Sequence, residues 1–170
     1  MVVVRLRQDA DVPACVEALA QVHRLDGYPI MGEHVSAEWL MLGADASAWV
    51  CLVDGVVAGH VAVVPGFGND AVTRASGRPR SEILGVTRLF VAPPARGHGA
   101  ARALLDAVDA YADASGLGVA LDVVEKDAAA IALYEKRGWT LVGRGQAEWF
   151  GAEGPHPWVR YYVRPDPVGS

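Results

Sequence analysis

The apolar positions change period along the chain, and each change marks an element. Val2-Val3-Val4-Arg5-Leu6-Arg7 opens as a short apolar run and alternates from Val4 onward, which is the period of a strand and not the layout of a signal peptide. Val12, Cys15, Val16, Leu19 and Val22 then recur at helical spacing. Asp11 is placed to cap that helix, Pro13 falls in its first turn, and Asp26-Gly27-Tyr28-Pro29 ends it. Ser36 offers the cap of a short helix through Trp39, Leu40 and Met41. Strands follow at about 49–53 and 56–64, joined by the two-residue hairpin signal Asp54-Gly55.

Residues 65–80 hold three Gly, two Pro, three Arg and few large apolar side chains, which predicts a long mobile loop. A strand over about 81–91 comes next, and Leu104, Leu105, Val108 and Tyr111 mark an amphipathic helix after it. Gly116 and Gly118 stop that helix and introduce a strand at 119–124. Asp127 can cap a further helix carrying Ile131, Leu133, Tyr134 and Arg137, with Gly138 as its C-terminal cap. Strands at 139–150 and 158–164 close the pattern, which predicts a single α/β domain over 1–165 and a flexible tail at 166–170.

Composition agrees with one well-cored domain: 170 residues, 52% apolar and 21% charged, exclude wholesale disorder. The formal charge is -5, and 13 Arg and two Lys form no basic run beyond the scattered Arg74, Arg78 and Arg80, so no nucleic-acid partner is expected. No apolar segment approaches the roughly 20 residues that span a bilayer, so no membrane partner is expected. Cys15 and Cys51 lack any CxxC spacing and read as reduced, packed thiols of a cytoplasmic protein. The five histidines never fall at metal-ligand spacing, so no metal is expected.

Chemistry concentrates between Leu89 and Leu105, where a strand runs through a Gly-rich loop into a helix. A helix N-terminus offers unpaired N–H groups and the positive end of a dipole, and glycines let an anion approach closely, so phosphate is the natural guest. The chain has no Gly-Lys dipeptide and hence no Walker A lysine. A dinucleotide fingerprint fails as well: after Gly97 and Gly99 the third glycine position is Arg102, and antiparallel hairpins precede it.

Arg96-Gly97-His98-Gly99-Ala100-Ala101 resembles the acetyl-CoA loop of the GNAT superfamily of N-acetyltransferases, Arg/Gln-x-x-Gly-x-Gly/Ala at the end of a long strand. Residues 127–139, with Asp127, Ala130, Leu133-Tyr134-Glu135-Lys136, Gly138 and Trp139, resemble that family's second segment, Asn-x-x-Ala-x-x-Leu-Tyr-Glu-Lys-x-Gly-Phe. Asp127 stands where the family usually has Asn, and Trp139 where it more often has Phe. The resemblance covers nearly the whole domain. It implies a GNAT-like central, mostly antiparallel, splayed sheet of about seven strands flanked by about four helices. The pantetheine arm would lie in the splay between the 81–91 and 119–124 strands, pairing with backbone groups of Leu89 and Val91, with Phe90 between them. Arg96 and the N–H groups from Gly97 through His98, Gly99, Ala100 and Ala101 to Arg102 would hold the pyrophosphate, and Asp127, Ala130 and Tyr134 would border the cofactor.

The resemblance also implies N-acetyl transfer from acetyl-CoA, as cosubstrate and without metal, to a primary amine of a small molecule by direct attack. The alternatives are a non-catalytic acyl-CoA-binding or regulatory module and a protein N-terminal or lysine acetyltransferase. Tyr134 matches the family tyrosine that protonates the departing thiolate; as a residue it also fits a core aromatic beside Leu133 and Ile131. Two carboxylates compete as base: Glu82, early on the cofactor strand where related enzymes often carry a glutamate, and Asp122 on the facing strand. His23, Asp26, Tyr28 and His34 flank the loop that walls the acceptor site in the family, where they could bind a polar amine or form a solvated helix end. The 158–164 strand could pair with a second copy to form a homodimer.

Overall fold

A computed structural model describes residues 1–167. Its strands are β1 (Val2–Leu6), β2 (Ser47–Val53), β3 (Val56–Pro65), β4 (Ile83–Val91), β5 (Gly118–Val124), β6 (Thr140–Gln146) and β7 (Trp158–Val163). Its α-helices are α1 (Val12–Asp26), α2 (Ala37–Leu40), α3 (Asp70–Ser76), α4 (Ala100–Ser115) and α5 (Ala128–Lys136). The strands form one mixed α/β sheet in the order β1-β2-β3-β4-β5-β7-β6. The β1–β2, β2–β3, β5–β7 and β6–β7 ladders are antiparallel, and β4 pairs parallel with β5 from Ile83↔Gly118 to Gly85↔Ala120.

By contacts the chain forms two compact units, the first of Met1–Val64 with Val86–Tyr111, the second of Pro65–Gly85 with Ala112 onward. In the first, the apolar stripe of α1, Cys15, Ala18, Leu19 and Val22, packs with Leu40, Val50 and Phe90. Asp11 does not cap α1 with its side chain: its carboxylate accepts two bonds from the Arg5 guanidinium, at 2.7 and 2.9 Å, and one from the Gln8 N–H. The ion pair outcompetes the cap, and Pro13, which has no N–H to satisfy, removes part of the need for one. Gly59 sets how closely α4 approaches β3, since a Cβ there would lie 3.2 Å from both Leu104 Cδ1 and the Phe90 carbonyl.

The second unit corrects the expected loop at 65–80, which contains α3 and raises the helix count to five. The Asn69 side chain caps α3 by accepting from the Val72 N–H at 3.0 Å, and Gly77 at φ 68° ends it. Val72 is fully buried with Ile83, Ala120 and Val163. The glycine and proline density masked one apolar anchor that tertiary packing supplies with partners. Strand β4 starts at Ile83, not Ser81, because Arg80–Glu82 form a 3-10 turn.

Strand β7 is interior, hydrogen bonded to β5 on one edge and β6 on the other, so it has no free edge to offer a second copy. Of the expected flexible tail, Asp166 is ion-paired with Arg78 at 3.3 Å, and residues 168–170 lie outside the described residues. Cys15 and Cys51 are buried and unbridged, and burial pushes the Cys15 thiol up to about 11. Among the described residues no helix is long and apolar enough to cross a membrane, and no cluster of His, Cys, Asp and Glu could hold a metal ion.

Candidate active site

In the first unit, β4 passes through a 3-10 turn at Pro93–Ala95 into Arg96 and the glycine loop that opens α4. Gly97 and Gly99 both sit in the left-handed region, at φ 84° and 78°, and a Cβ on either would meet nothing within 4 Å. The Ala103 N–H bonds to the Gly99 carbonyl at 3.0 Å, so the N–H groups of Ala100 to Arg102 precede that helical ladder. Ala100 is buried beneath the loop, whereas Arg96, His98 and Arg102 are exposed and Ala101 is half-buried. Arg96 donates from Nε to the Val91 carbonyl at 3.2 Å and from Nη2 to Asp26. Asp26, expected on the acceptor wall, is therefore ion-paired with Arg96 before the glycine loop. Leu89 and Val91 are half-buried, and Phe90 is buried with its ring stacked on His60 at 5.3 Å.

His60 is fully buried, with Nδ1 2.8 Å from the Arg88 carbonyl and Nε2 3.0 Å from Arg7 Nη1. A carbonyl only accepts and a guanidinium only donates, so the neutral ring protonated on Nδ1 satisfies both contacts. Burial drives its pKa down from 6.5 to about 4; the bond to the Arg88 carbonyl opposes this, and the Arg7 and Arg88 charges add to it. Arg88 holds φ 55° inside β4. Its guanidinium lies 4.0 Å from the Trp39 ring centroid, and it donates from Nε to the Trp39 carbonyl and from Nη1 to Thr87 Oγ1. His34 stacks on the same indole at 5.6 Å and Tyr28 meets it edge-on at 5.8 Å. Two of the four expected acceptor residues thus converge on Trp39, while His23 turns Nδ1 to the Pro29 carbonyl at 2.9 Å. Sequence reasoning missed Trp39, Arg88, His60 and Arg7; for His60 and Arg88 the signal was a titratable or charged side chain inside a largely apolar strand.

In the second unit, Tyr134 is buried on α5 with its ring 5.5 Å from Trp139 and 6.3 Å from Tyr162. Asp127 caps α5, its Oδ1 accepting from the Ala130 N–H at 3.0 Å, which occupies both residues with each other. Asp122 lies half-buried on β5 opposite Tyr161 of β7, and burial pushes its carboxyl up to about 6 against opposing hydrogen bonds from its own backbone N–H and from Trp149. Glu82 is exposed in the turn before β4.

Residues 15–139 match the model of the acetyltransferase (GNAT) family. The chain belongs to the GNAT family. It is therefore an acyltransferase that uses acetyl-CoA. No curated protein matches it. Among solved structures, this GNAT protein resembles the ribosomal-protein-S18-alanine N-acetyltransferase of Escherichia coli at TM-score 0.72 and 17% identity, covering 100% of this chain and 97% of that one. It resembles NAA60 of Arabidopsis thaliana in complex with a bisubstrate analogue at TM-score 0.68 and 25% identity, covering 96% and 98%. The same plant protein in complex with acetyl-CoA matches at TM-score 0.70 and 24% identity, covering 96% and 97%.

The glycine loop of this GNAT protein suits that cosubstrate's pyrophosphate. Two left-handed glycines leave open space where side chains would stand, and a helix of 16 residues begins behind them. Arg102 supplies an exposed positive charge, residues 92–103 contain no Asp or Glu, and the Arg96 charge is shared with Asp26.

Proposed function

We propose that the protein transfers the acetyl group of acetyl-CoA to the primary amine of a small molecule by direct attack. The observation that carries this reading is the glycine loop, whose two empty Cβ positions and free helix N–H groups form an anion cradle at the end of β4. In the reaction the amine nitrogen bonds to the thioester carbonyl carbon and the carbon–sulfur bond breaks. The amine gives up a proton, and the departing thiolate gains one.

Asp122 takes the amine proton in this reading, in preference to Glu82. A carboxyl with a pKa of about 6 is about nine-tenths ionised at pH 7, and its raised value makes it a better proton acceptor than an ordinary carboxylate. An alkyl amine of pKa about 10.4 is neutral in only about one molecule in two thousand at that pH, so a proton acceptor near it is useful. Tyr134 supplies the proton for sulfur: a phenol of pKa about 10 stays protonated at rest and can give its proton to a thiolate of pKa about 8.5. The gathering of Tyr28, His34 and Arg88 on one indole supports a small polar acceptor.

The test is thiol release from acetyl-CoA across amines, polyamines, amino acids, aminoglycosides and peptides, with mass spectrometry of the product. Acceptor-dependent release with an N-acetylated small molecule is the expected result. Turnover confined to peptides would replace the acceptor class, and acetyl-CoA binding with no turnover of any acceptor would leave a binding module.

A further inference from the structure

We propose that Arg88 is an anion-binding residue of the acceptor site and that the acceptor is a primary amine bearing a carboxylate, as an amino acid does; this rests on the acetyl-transfer reading and narrows it. Arg5, Arg78, Arg96, Arg144, Arg160 and Arg164 each have a carboxylate partner. Arg88 is half-buried, and its hydrogen-bond partners among the described residues are both neutral, the Trp39 carbonyl and the Thr87 hydroxyl. Its Nη2 donates to neither of them. A cation drawn partly out of water without an anion is costly, and the Trp39 ring face at 4.0 Å offsets only part of that cost.

The chain also holds this side chain in place at a backbone penalty, because φ 55° is a region that residues other than glycine avoid. The Arg88 carbonyl is fixed by His60 and its Nε by Trp39, so the guanidinium is oriented from both ends. A planar guanidinium held this way suits the two oxygens of a carboxylate, which it can engage through parallel N–H donors. Tyr28 and His34 complete the same patch through Trp39. Arg88 also directly precedes Leu89, where the family resemblance places the pantetheine arm.

The test compares L-methionine, L-phenylalanine and L-aspartate, each with its α-carboxamide, as acceptors for the parent protein and for Arg88→Met and Arg88→Lys. Calorimetry with N-acetyl-L-methionine and its amide, without acetyl-CoA, gives a second readout. The expected parent preference for the carboxylate is at least about tenfold in KM, a difference of about 1.4 kcal/mol. That preference should vanish in Arg88→Met and survive only in part in Arg88→Lys, which keeps the charge but not the fork. If the parent acetylates acids and carboxamides equally, the anion site is overturned while acetyl transfer stands. If nothing is acetylated but N-acetyl-L-methionine binds in an Arg88-dependent way, the anion site stands and acetyl transfer falls. Should Arg88→Met fail to fold, the parent's acid-to-amide ratio and Arg88→Lys still decide.

Discussion

Acid should weaken the fold through His60. Protonation at Nε2 would aim a second N–H at the Arg7 guanidinium 3.0 Å away, inside a fully buried site. The unfolded chain takes up that proton near pH 6.5, whereas the folded ring refuses it until about pH 4. The stability tied to the neutral ring is therefore intact above pH 6.5, starts to fall as pH drops through that value, and is lost by about pH 4. At about 1.4 kcal/mol per pH unit, that gap amounts to roughly 3 kcal/mol, of which about 2.5 is gone by pH 4.5. Against a typical total of about 5–15 kcal/mol, this is a substantial loss.

Asp122 pulls the other way: its carboxyl is raised from 3.8 to about 6, so its contribution is full below 3.8 and lost as pH rises through about 6. The parent's net pH profile therefore conceals the His60 effect. The informative quantity is the difference between the parent and His60→Gln, whose amide can donate to Arg88 and accept from Arg7 without titrating. Urea unfolding followed by circular dichroism at pH 7.5, 6.5, 5.5 and 4.5 should move that difference toward the variant by about 2.5 kcal/mol. A flat difference, or an NMR titration of folded His60 near pH 6.5, would refute the argument.

Gly99→Glu should weaken acetyl-CoA binding at least about tenfold, since it adds bulk, strain at φ 78° and a like charge to the anion cradle; unchanged calorimetric affinity in a folded variant would remove the loop from the cofactor site. Tyr134→Phe should lower kcat by roughly 10- to 1,000-fold with acetyl-CoA affinity nearly intact, and a loss confined to affinity would make the ring a packing residue. Asp122→Asn should abolish the fall of kcat/KM below about pH 6 and lower the neutral-pH rate, which recovers as rising pH frees the amine. Above pH 6 the same variant should also unfold at higher urea than the parent, because it no longer buries a charge. A limb that survives in Asp122→Asn and disappears in Glu82→Gln would reverse the two roles.

Where a signal is local, the sequence displays it: the glycine loop and the Asp127 cap each need only neighbours a few residues away, and both stand where the pattern places them. Helix α3 is hidden in the sequence because Val72 becomes an anchor only through Ile83, Ala120 and Val163, which lie on three different strands, β4, β5 and β7. The polar string Arg7–His60–Arg88 joins β3 and β4 to the residue just past β1 across separations of 53 and 28 residues, so no window of sequence contains it. Asp26 illustrates the converse, a residue whose setting suggested a ligand and whose charge is taken by Arg96, 70 residues away.

The interior position of β7 governs when the molecule can be finished during synthesis. Every residue of the first unit has been synthesised once Tyr111 is added, whereas β5 and β6 wait for their shared neighbour until Trp158–Val163 has been made. Until then two strands expose unpaired backbone, the condition under which nascent chains stick to one another. A chain released at residue 157 would lose the strand that ties β5 to β6, leaving the latter part of the sheet as separate pieces. Such a fragment should be found with chaperones or in aggregates, whereas a chain shortened only by its last few residues keeps both ladders.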